Sequence, residues 1–189
     1  MKKKKRNILA HSWELFVATG STWDKIATEE VTGNEIQRKF IFPWIALCVV
    51  VVAVFDSLYA SGKGLETGIL NGIITGVSLL GGYYLSNKIC LWYLRKQLPE
   101  QSSGLACETI VSYSFTTVFV LKIITTVLPS LFFLQILNVY IAYLVWEGCR
   151  AVLKLNEEER GNIILVFTLV IVFIPVLISW IIYLMLPNA

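Results

Sequence analysis

Asp56 and Lys122 are the residues of this sequence whose type and setting could do chemistry. Both stand inside long apolar runs. A charge in such a run is costly and ordinarily faces other protein, with a partner. Asp56 lies about four residues before the end of the first run, and Lys122 about six before the end of the third; at about 1.5 Å per residue these are depths of roughly 6 and 9 Å. The two side chains could therefore meet. One outcome is a proton or ion relay. The other is structural: a fixed ion pair, or two side chains snorkelling separately to the surface. The structural outcome is preferred, because a transport path ordinarily carries more ionisable groups. Asn71, Asn87, Gln135 and Asn138 are expected to bond across helices, and Asn138 joins Asp56 and Lys122 as an intramembrane polar candidate.

The remaining reactive residue types lead nowhere catalytic. Cys48, Cys90, Cys107 and Cys149 show neither CxxC pairing nor metal-ligand spacing, so reduced structural thiols are expected. His11 is the only histidine, which leaves no material for a His-based metal or triad site. Gly62-Lys63-Gly64 lacks the upstream glycine spacing and the following Ser or Thr of a phosphate loop. The run Glu157-Glu158-Glu159-Arg160 reads as a solvated loop opening a helix, where acids suit the N-terminus. HExxH, GxSxG and paired carboxylates are missing. No catalytic, metal or cofactor-binding residue is expected, and no cofactor.

These residues sit on a chain of 189 residues that is 56% hydrophobic and only 15% charged, with a mean hydropathy of +0.69. A soluble domain carries about 25% charge, and a core this small could not hide so much apolar surface. A soluble enzyme, a disordered tail, a disulfide-rich secreted module and a nucleic-acid-binding domain are excluded. The expected fold class is an all-α integral membrane protein: five transmembrane helices preceded by short amphipathic interfacial helices. The spans are expected at about 40–60, 69–93, 110–128, 130–146 and 163–186, each near the roughly 20 residues that cross the hydrocarbon. Residues 1–39 form a basic, amphipathic cytoplasmic segment and 40–189 the membrane domain. The third and fourth spans form one apolar stretch, which Pro129 divides into a hairpin turning at Leu128–Ser130. Pro43 falls in the first turn of the first span, and Pro175 predicts a kink in the fifth.

Charge fixes the expected orientation. With the N-terminus inside, 13 of the 16 basic residues, Lys2 to Arg6 among them, fall in cytoplasmic segments, as the positive-inside rule requires. Four spans would instead put Arg150, Lys154 and Arg160 outside. No cleavable signal is expected, since no apolar core follows the basic cluster. The N-terminus is thus expected in the cytoplasm and the C-terminus outside, in a bacterial cytoplasmic membrane. Trp44, Trp92, Tyr93, Tyr113 and Trp146 would form the inner aromatic belt, and Tyr59, Trp180 and Tyr183 the outer one. Residues 8–37 read as two short helices broken at Gly20, with Ser21 and Asp24 as a capping box, burying Trp13 and Trp23 in the headgroup region. Trp13, Trp23, Trp44 and Trp146 are the expected interfacial anchors. Gly68, Gly72 and Gly76, followed by Gly81 and Gly82, form a small-residue surface suited to close helix packing.

In order, these features resemble the Yip1 domain family. The resemblance rests on Ser21-Thr22-Trp23-Asp24-Lys25-Ile26-Ala27 with Glu29 or Glu30 after it, Phe42-Pro43-Trp44-Ile45-Ala46-Leu47, Gly81-Gly82, Leu128-Pro129, and Tyr140, Tyr143 and Gly148. It implies a cytosolic N-terminus and five transmembrane helices. Eukaryotic members are Golgi and vesicle proteins that contact Rab GTPases. This chain, with under 40 residues before its first span and no Asp-Leu-Tyr-Gly-Pro-type motif, is similar to the short prokaryotic branch. The expected function is a non-enzymatic, membrane-organising or partner-binding protein. The alternative is a small transporter or channel component using Asp56 and Lys122. Expected partners are the lipid bilayer and either a second copy of the chain or another membrane protein, with no nucleic acid.

Overall fold

The computed structural model describes residues 10–28, 31–59, 64–99, 103–155 and 157–186. The Lys2–Arg6 cluster, Glu29, Glu30, Lys63 and the side chains of His11, Trp13 and Glu157 to Glu159 lie outside the described residues. Two short helices, α1 (Ala10–Val17) and α2 (Thr19–Thr28), precede α3 (Gly33–Tyr59), α4 (Gly64–Gln97), α5 (Gly104–Val127), α6 (Pro129–Leu153) and α7 (Glu157–Met185). The last five are long and apolar enough to cross a membrane, and the protein is an all-α membrane bundle.

The helices overrun the apolar windows that reveal them. α4 has 34 residues, roughly 50 Å at about 1.5 Å per residue, against about 30 Å of hydrocarbon. Its additional turns carry Glu66 at one end and Arg95 and Lys96 at the other, polar positions that apolar counting does not reach. α3 begins seven residues before Phe40 and passes Pro43 through a wide turn at Gln37–Ile41, where the N–H of Phe42 bonds the carbonyl of Gln37. Proline lacks a donor and crowds the carbonyl four residues back; a π turn relieves that conflict. α7 continues as helix through Pro175.

α6 is irregular. After Leu128, with φ −127° and ψ 81°, the chain forms a 3₁₀ run over Pro129–Val139, an α segment over Tyr140–Gly148 and a π turn over Cys149–Leu153. Lys154, at φ 54°, closes it in the left-handed region, the usual way to end a helix. A 3₁₀ run eclipses residues i and i+3, so Gln135 and Asn138 fall on one face. Asn138 Nδ2 donates to Gln135 Oε1 at 2.8 Å.

α5 is the central strut and the most buried span. It touches every other helix of the membrane bundle, while α4 packs chiefly on α3 and secondarily on α7. Its own Ile110, Tyr113, Phe115 and Phe119 fill the core. The outer faces of α6 and α7 expose Phe132, Ile136, Val139, Phe173, Val176 and Met185, the surface that lipid rather than water covers.

Cross-helix bonds define two ends. At one, the Tyr59 hydroxyl donates to the carbonyl of Val127 at 2.7 Å, and Tyr183 donates to Asn71 Oδ1 at 3.2 Å. At the other, Arg150 Nη2 donates to Asp24 at 3.2 Å and Gln37 Nε2 to Glu108 at 2.6 Å. The described chain therefore starts at one end of the bundle and finishes at the other.

Candidate functional site

Three places in the bundle gather polar side chains. The first is a cavity of about 400 Å³ between α4, α5, α6 and α7. Thr75 and Ser78 reach it from α4, Lys122 from α5, Gln135 and Asn138 from α6, and Ser179 and Tyr183 from α7. Leu79, Val118, Val172, Pro175, Val176 and Trp180 supply the apolar wall. Among the described residues Lys122 forms no ion pair. Ser78 Oγ is buried without a hydrogen-bond partner.

The second place is occupied by Asp56. Its carboxylate accepts from Asn71 Nδ2 at 2.8 Å, and Asn71 accepts in turn from Tyr183. Asp56 and Lys122 thus do not pair: the aspartate is satisfied by an amide on the neighbouring helix, and the lysine faces the cavity. Depth along the helices is compatible with their meeting, but depth carries no information on the direction each face takes around a helix. Tyr183 borders both places. The other amides divide as follows: Gln135 Nε2 donates across to Thr125 Oγ1 at 3.3 Å, Asn138 bonds within its own helix, and Asn87 Oδ1 is buried with no partner.

The third place, at the opposite end, centres on Glu108. Gln37 Nε2 and the Tyr83 hydroxyl both donate to its Oε1, at 2.6 and 3.2 Å. Tyr83 also shares a 3.0 Å bond with Ser112, and Tyr84 donates to Gln37 Oε1 at 3.1 Å. A Cβ on Gly33 would collide with the Glu108 carboxylate, so the helix start sits directly on this cluster. Glu108 and Ser112 escaped the sequence reading because they fall at or before the edge of the apolar window. Their four-residue spacing, which puts both on one face of a helix, was the available signal.

The N-terminal helices join this end. Trp23 was expected among headgroups; it is fully buried in the protein, edge-on to Tyr113 at 5.9 Å. The close approach requires Gly148, where a Cβ would lie 3.1 Å from the indole. Thr19 bonds the Tyr140 hydroxyl at 2.8 Å, and Phe16 stacks on Tyr140. Trp23 is therefore a core residue and not a lipid anchor: the bundle offers a dry aromatic pocket that the amphipathic pattern of one helix could not reveal. Tyr113 is likewise buried, packed on Phe40. Trp44 is half-buried and stacks on Phe119, while Trp146 is exposed and lies under the Arg160 guanidinium. The N-terminal helix break falls at Ala18 rather than Gly20. Ser21 is accordingly inside α2 and donates back to Ala18 O instead of capping.

The glycines separate by partner. Gly68 and Gly72 lie against Ser57, Ala53 and Val49 of α3, whereas Gly81 and Gly82 face Ile178 and Pro175 of α7. All four cysteines are free and buried. Among the described residues no three His, Cys, Asp or Glu side chains gather as metal ligands.

The Yip1 domain matches residues 13–185, from α1 to the last turn of α7. The chain belongs to the Yip1 family. Comparison with curated proteins and with solved structures yields no match. In this Yip1 chain the family match takes in both the N-terminal helices and the bundle, the two parts that Trp23 joins.

Proposed function

We propose that this Yip1 protein is a non-enzymatic, partner-binding scaffold that organises the membrane around it, with its N-terminal end in the cytoplasm. The observation supporting this reading is the docking of α1 and α2 onto the bundle through Trp23, backed by the ion pair of Asp24 on α2 with Arg150 on α6 at 3.2 Å. It makes one platform from water-facing and membrane helices. A cleft of about 250 Å³ opens in that platform, walled by Ile26, Ala27, Val31, Leu105, Ala106 and Val152. Its apolar walls suit an apolar side chain of a protein partner.

The test is proximity labelling and co-purification in mild detergent, comparing the parent with Ala27→Arg and Leu105→Arg. Both side chains are exposed, so neither change should disturb the fold, which the elution profile in detergent checks. A partner captured by the parent and lost from both variants is expected. A strictly monomeric parent with no partner sensitive to these changes overturns the scaffold.

A further inference from the structure

We infer that the cavity at Lys122 binds an anionic amphiphile, a membrane lipid whose phosphate sits on the lysine and whose acyl chain lies along the apolar wall. Four observations converge. Lys122 carries a charge inside a membrane-spanning helix, where a charge without a partner is costly. Asp56, the acidic residue of the neighbouring first span, is engaged by Asn71, and among the described residues no Asp or Glu lines the cavity. The polar lining is rich in donors: the ammonium and the Ser78 hydroxyl, which is buried without a partner. Charge-assisted bonds from such donors are the strong ones for phosphate oxygens. The cavity, at about 400 Å³, is within the usual range for ligand sites.

The apolar wall decides between a lipid and a free ion. Leu79, Val118, Val172, Pro175, Val176 and Trp180 leave the polar groups on one side only. A hydrated inorganic anion would gain nothing from that wall. The acyl chain of a membrane lipid would pass from bilayer hydrocarbon to that wall without leaving apolar surroundings, so its headgroup reaches the lysine without the wall opposing it. This ligand is distinct from the platform's partner, so failure of either assignment leaves the other standing.

The experiment follows thermal unfolding of the full chain in neutral detergent with dodecyl phosphate, inorganic phosphate or dodecyl maltoside added. Native mass spectrometry then reports lipid retained from vesicles of phosphatidylglycerol or phosphatidylcholine. Dodecyl phosphate should raise the midpoint of the parent; inorganic phosphate and dodecyl maltoside should not. Lys122→Gln should bind dodecyl phosphate roughly tenfold to a hundredfold more weakly, the loss of a hydrogen bond to a charged group, and Lys122→Arg should retain most of the binding. Without ligand, Lys122→Gln should be at least as stable as the parent, which separates a lost site from a failed fold. Phosphatidylglycerol should be retained over phosphatidylcholine by the parent alone. Equal shifts by inorganic and dodecyl phosphate would reassign the site to a free ion and overturn the lipid. Equal shifts in the parent and Lys122→Gln, or no shift in the parent, would overturn the site altogether.

Discussion

Gly82 of α4 and Pro175 of α7 fill one another's space: a Cβ built on the glycine would stand 2.6 Å from the proline Cγ and 3.0 Å from its Cα. The proline ring and its backbone are rigid, so neither helix can yield without moving. Gly81, one residue earlier, faces only the flexible end of Ile178 at 3.2 Å. Gly82→Ala should therefore cost about 1–3 kcal/mol, the usual range for overpacking, while Gly81→Ala should cost clearly less. Urea unfolding in mixed micelles compares the two. Equal losses at both positions would mean that Pro175 is not the obstacle.

Asn71 does for Asp56 what a cation would otherwise do. Removing it in Asn71→Leu leaves a carboxylate inside the bundle with its 2.8 Å donor gone. The expected loss is about 1 kcal/mol, typical of polar contacts between membrane helices. Asp56→Asn keeps a hydrogen-bonding side chain and should be nearly neutral in stability. Because Asp56 and Lys122 belong to separate places, it should also leave proton flux in proteoliposomes at the parent's level. A double-mutant cycle between positions 56 and 71 measures the coupling, and a value near zero would detach the two residues.

Most of the bundle was legible in the sequence because lipid imposes a coarse rule: about 20 apolar residues make a span. The Pro129 hairpin followed from the same length arithmetic. The rule is silent about direction around a helix, which is why Asp56 and Lys122 looked like a pair and are not one. It is also silent outside the apolar window, where Gln37 and Glu108 build the cluster around Tyr83. Trp23 was misplaced for a third reason. Indole rings favour both headgroups and aromatic pockets, and only the approach of Gly148 and Tyr113 creates the pocket. The 3₁₀ form of α6, which turns Gln135 and Asn138 onto one face, has no local sequence signal.

Trp23→Ala should uncouple the N-terminal helices. A fully buried tryptophan contributes about 3–5 kcal/mol against alanine. The ion pairs of Arg150 with Asp24 and Glu147 are partly exposed and together contribute little, each about 1 kcal/mol or less. Limited trypsin digestion in detergent should cut Trp23→Ala at Lys25 far faster than the parent, and Arg150→Gln only slightly faster. Equal protection in the parent and Trp23→Ala would show that the indole is not what holds α2.

The orientation can be read with single cysteines at exposed positions on each end. Ser130 follows the α5–α6 turn, at the end shared by Tyr59 and Val127, whereas Ser103 and Lys154 lie at the end shared by Asp24 and Glu108. The native Cys48, Cys90, Cys107 and Cys149 are buried and should react with an impermeant maleimide only after denaturation. In intact cells Ser130→Cys should be labelled at once. Ser103→Cys and Lys154→Cys should be labelled only after permeabilisation, as the proposed orientation requires, because the positive-inside rule favours a cytoplasmic position for the lysine- and arginine-rich end. Labelling of all three from one side would break the five-span path, and the reverse pattern would invert it, moving the Trp23 platform out of the cytoplasm and away from any cytosolic partner.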